Sequence, residues 1–235
     1  MRKRGADILL LSACFIFSSS CVTGNGVIAS TDFSLQNFNS IEVCGKPEVR
    51  IYYAKSQSVR LTADENLKDF VVLKVDNDVL TIDTNGEADK FRFTKYLVEI
   101  YTDDLKSISC YGSSSVQVFD KINSFQTLSV AGSATIQFNE SVVLGNLDGK
   151  ISGSGKITAQ GKCNNLNISI SGSGKFLGAE LEAENADVKI SGSGTTTVFA
   201  VKILNANIGG SGKIFYKGNP TVNEHIGGSG MIKRI

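Results

Sequence analysis

Ile151-Ser-Gly-Ser-Gly155, Ile170-Ser-Gly-Ser-Gly174, Ile190-Ser-Gly-Ser-Gly194, Ile208-Gly-Gly-Ser-Gly212 and Ile226-Gly-Gly-Ser-Gly230 are five copies of one pentapeptide. Two looser copies precede them, Cys110-Tyr-Gly-Ser-Ser114 and Val130-Ala-Gly-Ser-Ala134. Their first glycines, Gly112, Gly132, Gly153, Gly172, Gly192, Gly210 and Gly228, follow one another at steps of 20, 21, 19, 20, 18 and 18 residues. Aligning the chain on that glycine exposes columns. Two residues before it stand Cys110, Val130 and then Ile in every copy; four after it stand Val116, Ile136, Ile157, Phe176, Thr196, Ile214 and Ile232.

Within each repeat apolar and polar residues alternate, as in Leu166-Asn-Ile-Ser-Ile170 and Asp187-Val-Lys-Ile190. A period of two is the mark of strands with one buried face. One such repeat cannot bury its own apolar side, but stacked copies can, each column becoming a ladder inside the stack. The pattern therefore predicts an all-β chain whose core is a parallel β-solenoid, or β-helix, with Gly-Ser repeats of about 20 residues. At the strand spacing of about 4.8 Å, seven turns would span roughly 34 Å. The seven glycines are predicted structural corners, where a sharp bend excludes a Cβ. The Ser after each forms a column of hydroxyls, expected to bond the backbone of adjacent turns; the other reading is a polar ribbon that binds a glycan or surface. Lys156, Lys175 and Lys213 read as a solvated face.

Upstream of the repeats the chain reads as an irregular β-rich half, residues 34–104, leading into a seven-repeat solenoid, residues 105–235. Strands are predicted at Asn39–Cys44, Glu48–Tyr53, Ser58–Ala63, Phe70–Val75, Val79–Thr84 and Lys95–Tyr101, with one helical turn at Asp64–Lys68. Lys74–Val79 reads as a hairpin and Asn85-Gly86 as a turn, because Asn, Asp and Gly tolerate the left-handed backbone. No Gly-Ser register is visible here, and this half is expected to cover the open first turn of the stack.

The first residues are an address. A basic start (Arg2, Lys3, Arg4), an apolar run Ile8–Phe17 and small residues before a cysteine make an export signal. The run is shorter than the ~20 residues of a membrane-spanning helix. Ser18-Ser-Ser-Cys21 and Leu11-Ser-Ala-Cys14 both look like a bacterial lipoprotein signal, in which the cysteine is lipidated. Cys21 is the favoured site and Cys14 the alternative; an ordinary cleaved signal is the third reading. Residues 1–20 are then the signal and 21–33 a tether, and the chain is expected to be exported and held at the membrane by its lipid, as an outer-membrane lipoprotein of the cell envelope. Removing residues 1–20 takes three basic residues and Asp7 from a net charge of +1, so the remainder carries +1 − 3 + 1 = −1.

Composition excludes much. With 41% hydrophobic and 20% charged residues the chain can build a core. Its 24 basic residues are balanced by 23 acidic ones with no run of five like charges, so no nucleic-acid partner is indicated. One His and no Trp leave no two-His acid–base scheme and no His-rich metal site. Cys44, Cys110 and Cys163 match no zinc spacing and read as buried small hydrophobes. Gly153-Ser-Gly-Lys156 lacks the spacing, hydroxyl residue and helix of a phosphate loop. Lys213 stands near where a calcium-binding repeat after Gly209-Gly-Ser-Gly212 needs Asp. His225 reads as simply exposed.

Three acid pairs, Asp64-Glu65, Asp76/Asp78 and Asp103-Asp104, keep a glycan-cleaving enzyme on the page, since paired carboxylates do that chemistry. All three fall at turns, where Asp serves the local backbone, and Asp148, Glu180, Glu182, Glu184 and Asp187 read as scattered over the stack. The expectation is no enzyme, no cofactor and no metal.

Phe38-Asn-Ser-Ile-Glu-Val43, the Val79-Leu-Thr-Ile82 strand after a polar turn, Leu105-Lys-Ser-Ile108 and the serial Ser-Gly-Ser-Gly repeats resemble the family described as putative auto-transporter adhesin, head GIN domain. The resemblance covers residues 34–235. It implies a secreted or lipid-anchored β-helical protein of bacterial envelopes, often from Bacteroidetes, and supplies no catalytic residue. The chain is accordingly expected to be an adhesive or surface-binding module for a glycan or protein ligand. A self-assembling envelope scaffold, homo-oligomeric through the Met231–Ile235 end, is the alternative. A β-helical polysaccharide lyase or hydrolase comes third.

Overall fold

Alternate apolar residues need a second apolar layer within reach, and each repeat finds it in the next. The computed structural model describes residues 21–235. Among them there is strand but no α-helix, and two short 3₁₀ turns, Lys68–Phe70 and Ala88–Lys90. The chain winds as a parallel β-solenoid. Ser107–Gly112 pairs in parallel with Thr127–Gly132, which pairs with the second half of Val142–Gly153. Lys156–Ile170, Lys175–Ile190, Thr195–Ile208 and Thr221–Ile226 continue the wall, in parallel and, toward each corner, in register with the one before; bulges at Thr158–Gln160 and Gly178–Asn185 absorb the unequal repeat lengths. The predicted ladders run inside it. Cys110, Val130, Ile151, Ile170, Ile190 and Ile208 are consecutive partners and buried.

A second wall carries the other ladder, Val116, Ile136, Ile157, Phe176, Thr196 and Ile214, also buried. In the first wall Gly149 stands between the buried Leu128 and Ile168, and a Cβ there would lie 2.7 Å from Ile168 Cδ1, so the neighbouring turn already fills the space. The interior is packed side chain, not a channel.

The first half departs from chain order. Ser40–Gly45 lies in parallel on Ser107–Gly112, and Glu48–Tyr53 on Ser115–Val118. Val79–Asp83 and Tyr96–Thr102 then stack on those two strands. This half therefore adds turns in solenoid register, and Gly45 joins the corner column beneath Gly112, where the sequence showed no Gly-Ser signature. The outermost layer is antiparallel: Ser58–Asp64 runs along Tyr96–Thr102, Ile28–Phe33 along Ser58–Asp64, and Val72–Asp76 folds back on Val79–Asp83. Asn77 and Asp78 make that hairpin with positive φ, as do Asn85 and Gly86 in the next turn. The helical turn predicted at Asp64–Lys68 is displaced to Lys68–Phe70, because Asp64 is drawn into the end of its strand.

Residues 21–33 differ from the expected tether. Val22–Thr23 pairs in parallel with Phe91–Arg92 and Ile28–Phe33 forms the edge strand just described. Asp64 holds this segment. Its carboxylate is fully buried and accepts from Gly26 N at 2.9 Å, Thr94 N at 2.7 Å, Thr94 Oγ1 at 2.5 Å and Lys95 N at 3.2 Å. Burial pushes the carboxyl up, but the Thr94 hydroxyl and the three backbone amides outweigh it and hold the pKa at about 2. Gly24 packs so tightly on the carboxylate that a Cβ would lie 2.3 Å from Asp64 Cγ. Residues 1–20, where the signal and the alternative lipidation site Cys14 are predicted, lie outside the described residues.

Candidate functional site: an amide-lined face and a cavity at the pole

The corners are shut. At Gly112 and Gly132 φ is +107° and +123°, which favours glycine outright. At Gly172, Gly192, Gly210 and Gly228 the reason is proximity: a Cβ would lie 2.3–2.5 Å from the carbonyl oxygen of the glycine one turn earlier. Gly112, Gly132 and Gly153, where φ is +143°, combine both conditions, with the carbonyl oxygen of the turn before at 2.7, 2.5 and 2.4 Å. The second glycines serve the core instead. A Cβ at Gly174 would meet Ile151 Cγ2 at 2.3 Å, and Gly194, Gly212 and Gly230 stand in the same relation to Ile170, Ile190 and Ile208. Glycine on one turn thus receives the branched methyl of the turn before.

The column of seven serines differs from expectation. It is the Ser backbone N–H that bonds the adjacent turn, as in Ser133 N to Gly112 O at 2.7 Å and Ser193 N to Gly172 O at 2.9 Å. The hydroxyl-bearing residues are exposed, and none of their hydroxyls has a protein partner among the described residues.

The three acid pairs do not make one centre. Asp64 is spent on backbone bonds while Glu65 is exposed, and Asp76 is exposed too. Asp78, Asp103 and Asp104 do line one shallow concavity of about 280 Å³ with Lys55 and Gln57, but all three acids are exposed at turns. Lys106 Nζ lies 3.9 Å from Asp104. Among the described residues no group of three His, Cys, Asp or Glu could hold a metal ion. Cys110 and Cys163 are buried, and burial pushes both thiols up to about 11. Cys44 points the other way, paired with Tyr111 on the outer side and only partly buried, so it is not the core residue predicted. Cys21 is exposed, its Sγ 3.9 Å from the Asp89 carbonyl oxygen.

Asp148 and Asp187, read as scattered, share one column. Asp148, Asn167, Asp187, Asn205 and Asn223 are consecutive partners on the outer side of the first wall, five positions before each corner glycine. Asn146, Asn165 and Asn185 form a second column beside it, and Lys150, Ser169, Lys189, Asn207 and His225 a third. The amides bond along the stack: Asn165 Nδ2 donates to Asn146 at 2.8 Å, Asn185 to Asn165 at 3.1 Å, Asn167 to Asp148 at 2.8 Å and Asn223 to Asn205 at 2.9 Å. Such a rung uses one donor and one acceptor per amide, leaving the rest turned to solvent. Two adjoining concavities, of about 330 and 530 Å³, run over these columns and share Asp187 and Asn205. Acids and bases nearly cancel: Asp148, Asp187 and Glu224 stand against Lys150 and Lys189, a surplus of one acid with His225 neutral. The columns were readable from the repeat alignment, at the offset of five.

A second cavity, of about 440 Å³, lies at the N-terminal pole. Four stretches build it: Lys46 and Glu48 after the Gly45 corner, Thr84, Ala88, and Phe91–Tyr96. Phe93 stacks on Tyr96 with centroids 4.5 Å apart and leans on Phe91 at 6.2 Å, and Phe91 meets Phe70 at 4.8 Å. Lys46 is paired with Asp89 at 2.9 Å and Lys95 with Glu48 at 3.1 Å. Arg92 makes no ion pair among the described residues. Burial pushes Glu48's carboxyl up, but Lys95 and Arg50 outweigh it and hold the group below its usual value. No sequence pattern announced this cavity.

The solved structures that resemble the chain share its fold over most of their length. A putative adhesin from Bacteroides fragilis superposes with a TM-score of 0.78 at 20% identity, covering 91% of this chain and 100% of that one. A putative adhesin from Parabacteroides distasonis gives 0.73 at 28% identity, covering 91% and 99%. A protein of the same species titled a putative lipid binding protein gives 0.73 at 25% identity, with the same coverage. No protein of curated function matches the chain. A family model matches residues 37–220, the greater part of the chain, and on that match, with the stacked corners and ladders that carry it, the chain belongs to the family described as putative auto-transporter adhesin, head GIN domain.

Proposed function

We propose that the chain is a non-enzymatic adhesive module of the cell envelope, held to its membrane by a lipid on Cys21, and that it takes a neutral polysaccharide lengthwise on its amide-lined face. The observation that carries this reading is the pair of adjoining concavities over the Asn and Asp columns. Polar groups recur there every ~4.8 Å, so the five residues from Asp148 to Asn223 span about 19 Å. A linear glycan presents hydroxyls at a similarly short repeat, and amides can both donate to them and accept from them. The near-cancellation of charge on this face disfavours a strongly charged ligand. Membership in an adhesin family and the adhesin titles of similar structures point the same way.

The anchor follows from the lipoprotein-like signal and from the exposed position of Cys21. No helix among the described residues is long and apolar enough to cross a membrane. The test is an array of neutral and acidic polysaccharides probed with the purified chain and with an Asn165→Ala, Asn185→Ala double variant. Retention on neutral polysaccharides that falls at least tenfold in the variant supports the proposal. Equal retention by both proteins assigns binding elsewhere.

A further inference from the structure

Of the concavities, the one at the N-terminal pole is the more enclosed by aromatic rings, and its chemistry differs from that of the amide face. Phe91, Phe93 and Tyr96 give it flat apolar walls. Lys46, Arg92 and Lys95 stand around it, and with Lys46 paired to Asp89 and Lys95 to Glu48 the cationic surplus is that of Arg92. Thr84 and Tyr96 are its deepest lining residues, 3% and 9% exposed, and neither hydroxyl has a hydrogen-bond partner. Buried hydroxyls are ordinarily paired, and an unpaired one is destabilising until an acceptor reaches it. The Tyr96 phenol remains a donor, because burial, with the nearby Asp83 and Cys44, pushes its ionisation upward.

A ligand matching this lining has a flat C–H face for the rings, an anionic group for the basic side chains and acceptor oxygens for the two hydroxyls. The volume of about 440 Å³ falls in the ordinary range of small-molecule sites, roughly 300–1,000 Å³. We propose that the pole cavity is a second binding site, which takes an acidic sugar unit of the uronic acid class. Lys46 and Lys95 already have carboxylate partners, so Arg92 is the residue free to pair with the sugar carboxylate, bidentate in the manner of guanidinium groups. The ring stacks on Phe91 and Phe93, and its hydroxyl oxygens accept from Tyr96 and Thr84 after a small side-chain rotation.

This site stands apart from the amide face in place and in ligand charge, so either assignment can fail alone. Saturation-transfer NMR and titration calorimetry with glucuronic acid, glucose and inorganic sulfate test it. Glucuronic acid is expected to bind, with glucose at least tenfold weaker and sulfate unable to displace the sugar at equal concentration. Arg92→Gln, at an exposed position, and Tyr96→Phe, which keeps the ring, are each expected to weaken glucuronic acid binding about tenfold, with unfolding midpoints unchanged for Arg92→Gln. Equal binding of glucose and glucuronic acid, displacement by sulfate at equal concentration, or full affinity in Arg92→Gln would each overturn the proposal.

Discussion

The two ends of this molecule meet water in opposite ways. In the stack, from Ser107 onward, every turn repeats the one before it, so what faces outward is a set of straight columns. The result is an open polar face with nothing deep in it. At the N-terminal pole the chain leaves sequence order, turns antiparallel and brings four separate stretches together. There it encloses an aromatic and cationic cavity. Repetition yields long flat surfaces suited to a repeating ligand, whereas irregularity yields an enclosed site suited to a single unit. The same contrast governs stability, because the stack is closed by parallel turns on both sides whereas the cap ends in antiparallel edge strands, Ile28–Phe33 and Val72–Asp76.

The sharpest way to break that comparison is at glycine. Gly192→Val drives a branched side chain into the Gly172 carbonyl, 2.3 Å from the first added carbon, at a site locked by turns above and below. The expected cost exceeds about 4 kcal/mol, seen as loss of the cooperative urea transition by circular dichroism. Gly26→Ala, in the cap, has a positive φ of +76° but nothing within 4 Å, and should cost only about 1 kcal/mol. If the two variants prove equally stable, the stack is not the rigid partner.

Next comes the core. Phe176 is fully buried between two turns, and Phe176→Ala should cost roughly 3–5 kcal/mol. Phe70, 46% exposed at the pole, should change stability by less than about 1 kcal/mol when replaced by Ala.

Asp64 separates the cap from the stack more selectively. Its folded-state pKa of about 2 lies below the ordinary aspartate value of 3.8, so its stabilisation is fully present above about pH 5. As pH falls from about 4 to 2 the unfolded chain takes up the proton first, and about 2 kcal/mol of stability is lost. Asp64→Asn should remove that dependence and a similar amount of stability. Hydrogen exchange should quicken at residues 24–33 while protection at Lys175–Ile190 persists. Uniform quickening would mean that the cap and the stack unfold as one unit.

The smallest effect is on the amide face. Asn185→Ala removes one exposed rung and should shift stability by no more than about 0.5 kcal/mol. It separates binding from folding for that reason.

How much could be read beforehand follows the same division. The corner glycines, the Ile column and the strands at Glu48–Tyr53 and Val79–Asp83 were legible because each recurs or alternates along the chain. The amide columns were missed: Asp148 and Asp187 read as scattered because Asn167, Asn205 and Asn223 stand between and beyond them, and only their shared offset from the corner joins the five. Gly45 was hidden because Lys46-Pro47 follows it where the repeats carry Ser and a small residue. The placing of Val79–Asp83 and Tyr96–Thr102 on Ser40–Gly45 and Glu48–Tyr53 was not legible, because alternation says which face of a strand is buried but not which strand lies against it. The pole cavity depends on that stacking order and so left no pattern. The packing of residues 21–33 depends on the Asp64 carboxylate, which the sequence presents only as one more acid at a turn.

The central claim is that the amide columns form the adhesive surface, and the most direct measurement compares two variants for retention on immobilised neutral polysaccharide. One carries Asn165→Ala with Asn185→Ala, on the amide face. The other carries Ser173→Ala with Ser193→Ala, on the exposed corner column. The account predicts at least a tenfold loss for the asparagine variant and unchanged retention for the serine variant, with both folded. Loss confined to the serine variant would contradict it and move the adhesive surface to the corner.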